Sequence, residues 1–361
     1  MSDLSAILDA TTDQHLNESH LSPPDTSPSP FLPGTSIQYA WDSTSLGLFK
    51  TCPRLYQYQM LEGWASRDES VHLRFGIEYH AALEGFDREM ALGTPREVAI
   101  QRTIRRLVDS VWGWNPDTTT KAGRYKNRDT LLSLVVDYLD HFNPDPAVTY
   151  LKSDGTPAVE LSFRFELGFG PSAANLPTWN YKNGDVVPPN YRAPGDGHPR
   201  PYLLCGHLDR VVSYNRQLLV MDRKTTTTTL GPYYFSQYHP HNQMSLYTFA
   251  GRVILDAPIT GVIIDAAQIK LEEPNAFARG FTFRTEAQVE EWLNDLQTTL
   301  ALAETYALNQ YWPMNDTSCD KFGGCRFREI CTRDPHVRPA FLKSNFDKQP
   351  EDQRWNPLRA R

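Results

Sequence analysis

Three features are missing from this 361-residue sequence. No apolar run approaches the ~18 residues of a membrane-spanning helix. The start has no basic segment followed by an apolar one, as a secretory signal would. Basic residues are also few, since 36 Lys and Arg stand against 43 Asp and Glu for a net charge of -7. This balance argues against a protein that coats nucleic acid, although it allows a local basic channel. We expect a cytoplasmic protein without membrane contact.

Cysteine is scarce, with five residues in the whole chain. Four of them form a possible ligand set. Cys52 lies early in the chain, and three others lie late at intervals of six: Cys319, Cys325 and Cys331. Disulfides are not expected where nothing indicates export. Four thiolates are the usual cage of an iron–sulfur cluster or of a closed zinc site, and both remain open at this point. Cys205, beside a glycine in a predicted strand, is interpreted as a small buried hydrophobe.

The composition, 40% hydrophobic and 22% charged, suits one large globular domain or two modest ones. Proline, serine and threonine dominate residues 1–35, which predicts a disordered tail. Helical spacing of apolar residues predicts a helical region over 36–150, carrying Cys52 and His80. An α/β core is predicted over 151–310, beginning with a half-buried strand that alternates from Val159, and a cysteine-bearing segment and tail over 311–361. Residues 170–200, rich in Pro, Asn and Gly, are predicted to form a long loop, either a functional flap or a disordered excursion.

Two aspartates on one predicted hairpin are the most informative feature. Asp209 ends the tetrapeptide Gly-His-Leu-Asp, and Asp222 begins Asp-Arg-Lys thirteen residues later. A turn centred between Asn215 and Arg216 gives partners whose numbers sum to 431, so Asp209 faces Asp222. Lys224 then lies on the same face of the sheet.

Facing carboxylates repel each other, and a divalent cation would offset that repulsion. A lysine beside such a cation can orient water or stabilise developing negative charge. The pair therefore outlines a site for phosphodiester hydrolysis. Taken alone, Asp209 and Asp222 are equally compatible with exposed residues at a sheet edge.

Further residues extend this set. Gln243 and Tyr247 lie four apart on one face of a predicted helix, and His80 lies on a helix far upstream. The ordered set resembles the RecB-type branch of the PD-(D/E)xK nuclease superfamily. His80 matches its metal-binding histidine, and Asp209 matches its GxxD aspartate. Two further matches are the (D/E)xK pair, Asp222 with Lys224, and the QxxxY motif, Gln243 with Tyr247.

The resemblance implies a restriction-endonuclease-like α/β core, with a mixed central sheet flanked by helices, an N-terminal helical region and a C-terminal cysteine-bound cap. It implies that Mg²⁺ or Mn²⁺ is held by His80, Asp209, Asp222 and the carbonyl of Arg223. It also implies catalytic roles for Asp209, Asp222, Lys224, Gln243 and Tyr247. An upstream strand glutamate is common in that family, and Glu160 lies at the corresponding place.

The cysteine pattern resembles the iron–sulfur members of the RecB-type group, including the CRISPR adaptation nucleases and the AddB subunit of a helicase–nuclease. This implies a [4Fe-4S] cluster bound by Cys52, Cys319, Cys325 and Cys331. Those relatives often have a tighter pair among the last three cysteines, so zinc remains the alternative.

The expected function is a metal-dependent DNA exonuclease acting at DNA ends in recombination, repair or phage DNA processing. DNA with a free end is the expected partner, together with a helicase or recombination protein. Three alternatives stay open: a CRISPR-adaptation-type end-trimming nuclease, a non-catalytic DNA-binding protein with a structural cluster, and a cysteine-based redox sensor.

Two groups of basic residues are candidate DNA contacts, and either can also be a solvated helix face. The first is Lys121, Arg124, Tyr125, Lys126 and Arg128; the second is Arg102, Arg105 and Arg106. The threonine run 225–229, directly after Lys224, ends a strand and offers hydroxyls to a phosphate.

Overall fold

The computed structural model describes residues 29–67, 70–171, 201–321 and 324–359. Eleven α-helices and nine β-strands are described in these ranges. The strands are β1 (Ala40–Trp41), β2 (Trp64–Ser66), β3 (Val148–Thr149), β4 (Val159–Glu166), β5 (Leu203–Tyr214), β6 (Gln217–Thr226), β7 (Gly261–Gln268), β8 (Ala276–Phe283) and β9 (Phe346–Lys348). The helices are α1 (Ser43–Thr51), α2 (Pro53–Tyr56), α3 (Val71–Ala91), α4 (Arg96–Val111), α5 (Lys121–Tyr125), α6 (Arg128–His141), α7 (Pro232–Ser236), α8 (Asn242–Leu255), α9 (Glu286–Leu308), α10 (Arg328–Thr332) and α11 (Arg338–Asn345).

Seven strands form a mixed sheet whose main path is β1-β5-β6-β7-β8, with β3 and β4 also paired to β5. β5 and β6 are an antiparallel hairpin, and β6 and β7 are parallel. A parallel neighbour needs a long crossover, and helix α8 lies within that connection. β8 returns antiparallel to β7. The predicted α/β class with a mixed central sheet flanked by helices is confirmed.

The chain divides into two compact units, each built from separate stretches of sequence. One comprises Asp68–Leu161 and His207–Trp292. Its core lies between the helices α3, α4 and α6 and the adjoining strands. Helix α3 buries Phe75, Tyr79 and Leu83, which recur every four residues on one stripe.

The other unit comprises Met1–Arg67, Ser162–Gly206 and Leu293–Arg361. In its described part, β2 pairs antiparallel with β9 from the far end of the chain. Beside this ribbon, Tyr58, Trp64, Phe327 and Phe346 share a hydrophobic cluster, against which Cys325 and Cys331 pack.

Several sequence-based expectations meet a different outcome here. The units do not follow linear boundaries near residues 150 and 310, because strands β4 and β5 and helix α9 each contribute residues to both. Residues 29–35 are not a disordered tail. Leu32 is buried, its amide donates to the carbonyl of Ile37 at 2.8 Å, and Phe31 bridges to Gln38. The rest of the predicted tail, and residues 172–200 of the predicted loop, lie outside the described residues.

Among the described residues, no helix combines the length and the apolar character that crossing a membrane requires.

Candidate active site

The β5–β6 hairpin has the register that the sequence predicts. Val211 pairs with Val220, and Arg210 pairs with Met221. Its turn residues Asn215 and Arg216 have φ of 49° and 64°. Positive φ at both central positions belongs to the turn type that matches the twist of a hairpin, and asparagine tolerates it well. The next step of the ladder therefore brings Asp209 beside the segment that starts at Asp222.

Asp209 connects this hairpin to helix α3. Its Oδ2 accepts a hydrogen bond from the backbone N–H of Arg223 at 3.0 Å and lies 3.2 Å from Nδ1 of His80. The other ring nitrogen of His80, Nε2, is 3.1 Å from the carbonyl oxygen of Arg223. One imidazole thus contacts two of the groups that the resemblance assigns to a metal.

Asp222 and Lys224 are alternate residues of β6 and form an ion pair. Nζ of Lys224 lies 2.8 Å from Oδ1 and 2.7 Å from Oδ2 of Asp222. It also donates to Oε1 of Gln243 at 3.2 Å, and Nε2 of Gln243 donates to the hydroxyl of Tyr247 at 3.0 Å. The four-residue spacing on α8 therefore creates one hydrogen-bonded chain from the lysine to the tyrosine.

The charges of the site set its protonation states. Burial raises the pKa of Asp222, and the nearby charge of Asp209 raises it further against the opposing effect of Lys224. For Asp209, burial is outweighed by the charge and hydrogen bond of His80, and its pKa is lowered. Burial disfavours the ammonium of Lys224, but the two aspartates outweigh it and raise the pKa of Lys224. The lysine therefore stays charged at neutral pH and suits charge stabilisation rather than proton abstraction.

Glu160 joins the site, although the predicted catalytic and metal-binding sets do not include it. One ligand atom each from His80, Glu160 and Asp209 lies within 4.8 Å of the other two. Two carboxylates and an imidazole suit a divalent cation. Asp222 fits as a further ligand, because its buried Oδ2 has no aligned hydrogen-bond donor among the described residues despite its ion pair. The donor set thus fits the Mg²⁺ or Mn²⁺ that the resemblance implies.

The signal for Glu160 in the sequence was weak for a structural reason. The alternation of β4 puts it on the polar side of the strand, and its φ of 49° is unusual for a strand residue. A left-handed glutamate inside a strand is not foreseeable from the hydrophobic pattern.

A largely buried group of charged side chains, which we call the Arg–Asp network, contacts both strands of the hairpin. Its members are Arg210, Arg223, Arg279, Asp87, Asp145 and Asp265. Arg223 is its link to the site, because its guanidinium is 2.6 Å from Asp87 while its carbonyl faces His80. Three positive and three negative side chains balance one another. No motif in the sequence indicates this network.

The structure brings the early cysteine to the late segment. The backbone N–H of Asn315 donates to Sγ of Cys52 at 3.3 Å, and the amide of Cys325 donates to the carbonyl of Cys319 at 2.8 Å. Burial, and then the charges of Cys325 and Cys52, raise the pKa of the Cys319 thiol. All five cysteines are free of disulfides. Among the described residues, no three of the thiol sulfurs share the 4.8 Å spacing of His80, Glu160 and Asp209.

The two basic groups have different surroundings. In the second, Arg102 and Arg106 both pair with Glu89 of α3 and remain largely exposed, as in a solvated helix face. In the first, Arg124 and Arg128 have surface acidic partners, whereas Lys126 is buried.

Fold and site together define an α/β protein with a cluster of carboxylates, a histidine and a lysine centred on a sheet hairpin. The family model described as the PD-(D/E)XK nuclease superfamily matches residues 41–332, which include every residue of that site. The chain therefore belongs to the PD-(D/E)XK nuclease superfamily.

Among solved structures, the chain is similar to a crystal structure described as "Putative exonuclease" from Eubacterium rectale. The identity is 9%, the TM-score is 0.42, and the match covers 82% of this chain and 89% of that one. No curated protein matches this sequence.

Proposed function

We propose that this protein is a metal-dependent DNA exonuclease of the RecB type, acting on DNA ends during recombination, repair or phage DNA processing. The observation that carries the proposal is the convergence of His80, Glu160 and Asp209 with the Asp222–Lys224 pair at one hairpin. Superfamily membership supports hydrolysis of a nucleic acid. A non-catalytic DNA-binding protein would have no need of this combination of acids and charged lysine.

His80, Glu160, Asp209, Asp222 and the carbonyl of Arg223 would hold one or two Mg²⁺ or Mn²⁺ ions. When bound, such a cation supplies Lewis acidity toward the phosphoryl group and makes water a better nucleophile at neutral pH.

Lys224 places a fixed positive charge beside the reacting phosphate, and Asp222 and Gln243 hold its ammonium in position. Burial raises the pKa of Tyr247, so its phenol stays protonated and can donate to a phosphate oxygen. Gln243 orients that phenol through its amide. These residues position the strand and stabilise charge, which are the main protein contributions to phosphoryl transfer.

We further propose that Cys52, Cys319, Cys325 and Cys331 bind a [4Fe-4S] cluster with a structural role, with zinc as the alternative. Cys52 is the N-cap of helix α2, whose second residue, Arg54, donates through Nε to the carbonyl of Trp312 and through its backbone N–H to the carbonyl of Pro313. The same early segment therefore carries a ligand and binds the late segment directly. A backbone N–H aimed at Cys52 Sγ is the kind of contact that tunes a ligating sulfur.

The test of the nuclease compares end-labelled linear DNA with circular DNA, each with Mg²⁺, Mn²⁺ or EDTA. An exonuclease degrades the linear form alone and only with a cation. Asp222→Asn and Lys224→Ala should abolish cleavage while the folded protein still binds DNA. Asp109→Asn, at an exposed position on α4, is the matched control and should cleave normally. Near-wild-type cleavage by either site variant would refute the assignment.

A further inference from the structure

Two sequence features that the catalytic site does not use meet in the structure. Lys126 belongs to the first basic group, and Thr225 begins the threonine run 225–229. Nζ of Lys126 donates to Oγ1 of Thr225 at 3.2 Å, across 99 positions of sequence. Because Thr225 follows Lys224 directly, the ammonium lies at the end of the strand that carries the catalytic pair.

Lys126 is buried, with 6% of its surface exposed, yet no carboxylate lies within ion-pair distance in the described part of the chain. Its ammonium has three N–H donors, of which one goes to Thr225. The ring of Phe75, 5.2 Å away at its centroid, supplies a cation–π contact. A buried charge without a counter-ion is costly, so the site is incomplete without an anion.

The backbone fixes this lysine in place. Lys126 ends helix α5, and its N–H donates to the carbonyl of Ala122 at 2.8 Å. Asn127 then caps α6 and also donates to the carbonyl of Gly123 at 3.0 Å. A Cβ at Gly123 would lie 2.2 Å from the carbonyl oxygen of Asp117, so the turn requires glycine there. The backbone of Lys126 is thus fixed between two capped helices.

The spacing along β6 relates this lysine to the reacting centre. Side chains 223 and 225 point to one face of β6, and those of Asp222 and Lys224 point to the other. Helix α3, which binds the guanidinium of Arg223 through Asp87, also supplies Phe75 to Lys126 and His80 to the carbonyl of Arg223. Lys126 and the proposed cation site therefore share one helix and one strand, and two residues along that strand span about 6.6 Å.

We propose that Lys126 and Thr225 form a phosphate subsite, which holds a backbone phosphodiester of the nucleic-acid substrate next to the scissile one. The proposal rests on the nuclease function proposed above. The ammonium supplies a point charge, and the threonine hydroxyl supplies a second donor. Neither contact reads a base, so the subsite acts on any sequence.

The test uses the full-length chain and a mixed-sequence single-stranded oligonucleotide. Binding is measured in the inactive Asp222→Asn background, and cleavage is measured in the otherwise wild-type enzyme. The variants are Lys126→Met, Lys126→Arg and Thr225→Val. Lys270→Met is the control, because Lys270 already has an acidic partner, Glu273, at 2.9 Å.

Lys126→Met should raise Kd and KM about tenfold, with kcat within about twofold. The slope of log affinity against log salt should fall by about 0.7, as for the loss of one contact to a single strand. Lys126→Arg should recover most of the affinity because it keeps the charge. Thr225→Val should weaken binding less, and Lys270→Met should behave as wild type.

Stability separates a binding role from a structural one. A lysine that serves the fold should lower the melting temperature when it is replaced, whereas Lys126→Met should melt at or above wild type. Unchanged binding by Lys126→Met, or a loss of binding that follows a loss of folded protein and is not recovered by Lys126→Arg, would overturn the subsite. If the wild type cleaves DNA and Lys126→Met is unaffected, the subsite alone is wrong. If the wild type neither binds nor cleaves DNA, both proposals fall.

Discussion

At the scale of single residues, Glu160 shows how the site uses an unfavourable backbone conformation. Its φ of 49° lies in the left-handed region, which costs a non-glycine residue about 1–3 kcal/mol. That conformation brings its carboxylate to within 4.8 Å of ligand atoms of His80 and Asp209. The surrounding strand therefore maintains a local strain that the proposed cation site uses.

Two substitutions of Glu160 should separate the effect of its charge from the effect of its backbone strain. Glu160→Gln should raise the Mn²⁺ concentration needed for half-maximal cleavage by about tenfold or more, because it removes a charged ligand. Glu160→Gly should abolish that ligand too, but should melt at or above wild type, since glycine relieves the positive φ. Cation titrations of cleavage and thermal melts measure the two effects.

Glu166→Gln, on the same strand, provides the control and should leave the cation requirement unchanged. A Glu160→Gln enzyme with the wild-type Mn²⁺ requirement would remove Glu160 from the ligand set.

Lys126 provides a pH-dependent test at the same scale. Burial lowers the pKa of Lys126 from its ordinary 10.5 to about 8. Between these values the unfolded chain binds more protons than the folded one, so this lysine makes stability rise with pH from 8 to 10.5. Below pH 8 the lysine is charged in both states, so the full free-energy cost of burying its charge destabilises the folded protein. Lys126→Met should therefore be more stable than wild type at pH 7, and that advantage should shrink as pH rises through the window.

Urea titrations of both proteins at several pH values measure this difference. If the difference in free energy of unfolding between Lys126→Met and wild type grew with rising pH, the lowered pKa of Lys126 would be contradicted.

The sequence was informative where local chemistry determined the geometry. The apolar runs on each side of Asn215 and Arg216 fixed the hairpin register, so the approach of Asp209 to Asp222 was foreseeable. Glu160 was not, because its position depends on one left-handed residue. Lys126 was singled out only as one basic residue among several, since its burial arises from tertiary packing.

At the scale of elements, helix α3 contacts strand β6 through both the backbone and the side chain of Arg223. His80 meets its carbonyl, and Asp87, two turns later on the same face, binds its guanidinium. Asp87 also lies 3.3 Å from Arg210 of the neighbouring strand. The Arg–Asp network thus fixes the helix that carries a proposed metal ligand against the strand that carries the catalytic pair.

Asp87→Ala should destabilise the protein by about 3–5 kcal/mol, because it leaves an uncompensated positive charge in a balanced and buried network. Glu89→Ala is the matched control on the same helix. Its partners Arg102 and Arg106 are more than half exposed, so the loss should be about 0–1 kcal/mol. Denaturant midpoints at constant ionic strength give both values. Equal losses would show that the burial of the network does not matter.

Elements were easier to foresee than the network between them. Helices α1 to α6 lie within the predicted helical region 36–150, because the apolar periodicity that predicts a helix is local. The Arg–Asp network joins residues from 87 to 279, and charged residues at such separations carry no periodic signal. The predicted alternation of β4 agrees with the burial of Val159, Phe163 and Phe165, whereas the positive φ of Glu160 had no signal in that pattern.

At the scale of the whole molecule, the two compact units carry different chemistry. The residues of the proposed nuclease site belong to the unit of Asp68–Leu161 and His207–Trp292, and the four cysteines belong to the other. Cys52 and His80, which the sequence placed in one helical region, therefore fall into separate units. Linear boundaries could not describe this arrangement, because the chain passes between the units several times.

The last prediction concerns the four cysteines, whose role we take to be structural and separable from catalysis. A cluster would join residue 52 to residues 319–331 and close a loop of more than 260 residues. Closing so long a loop restricts the unfolded chain, and the energy of metal binding becomes energy of folding. Cys331→Ala should therefore lower solubility and melting temperature, and should reduce cleavage only in proportion to the folded protein lost.

Cys205→Ala is the control for this variant. Cys205 is buried in strand β5, and burial raises the pKa of its thiol to about 12. This variant should keep the metal content of the wild type. Wild-type protein purified without oxygen should be brown and should contain iron and acid-labile sulfide, and Cys331→Ala should lose both. Colourless wild type with one zinc ion would replace the cluster by a zinc site, whereas a stable and active Cys331→Ala would refute the structural role itself.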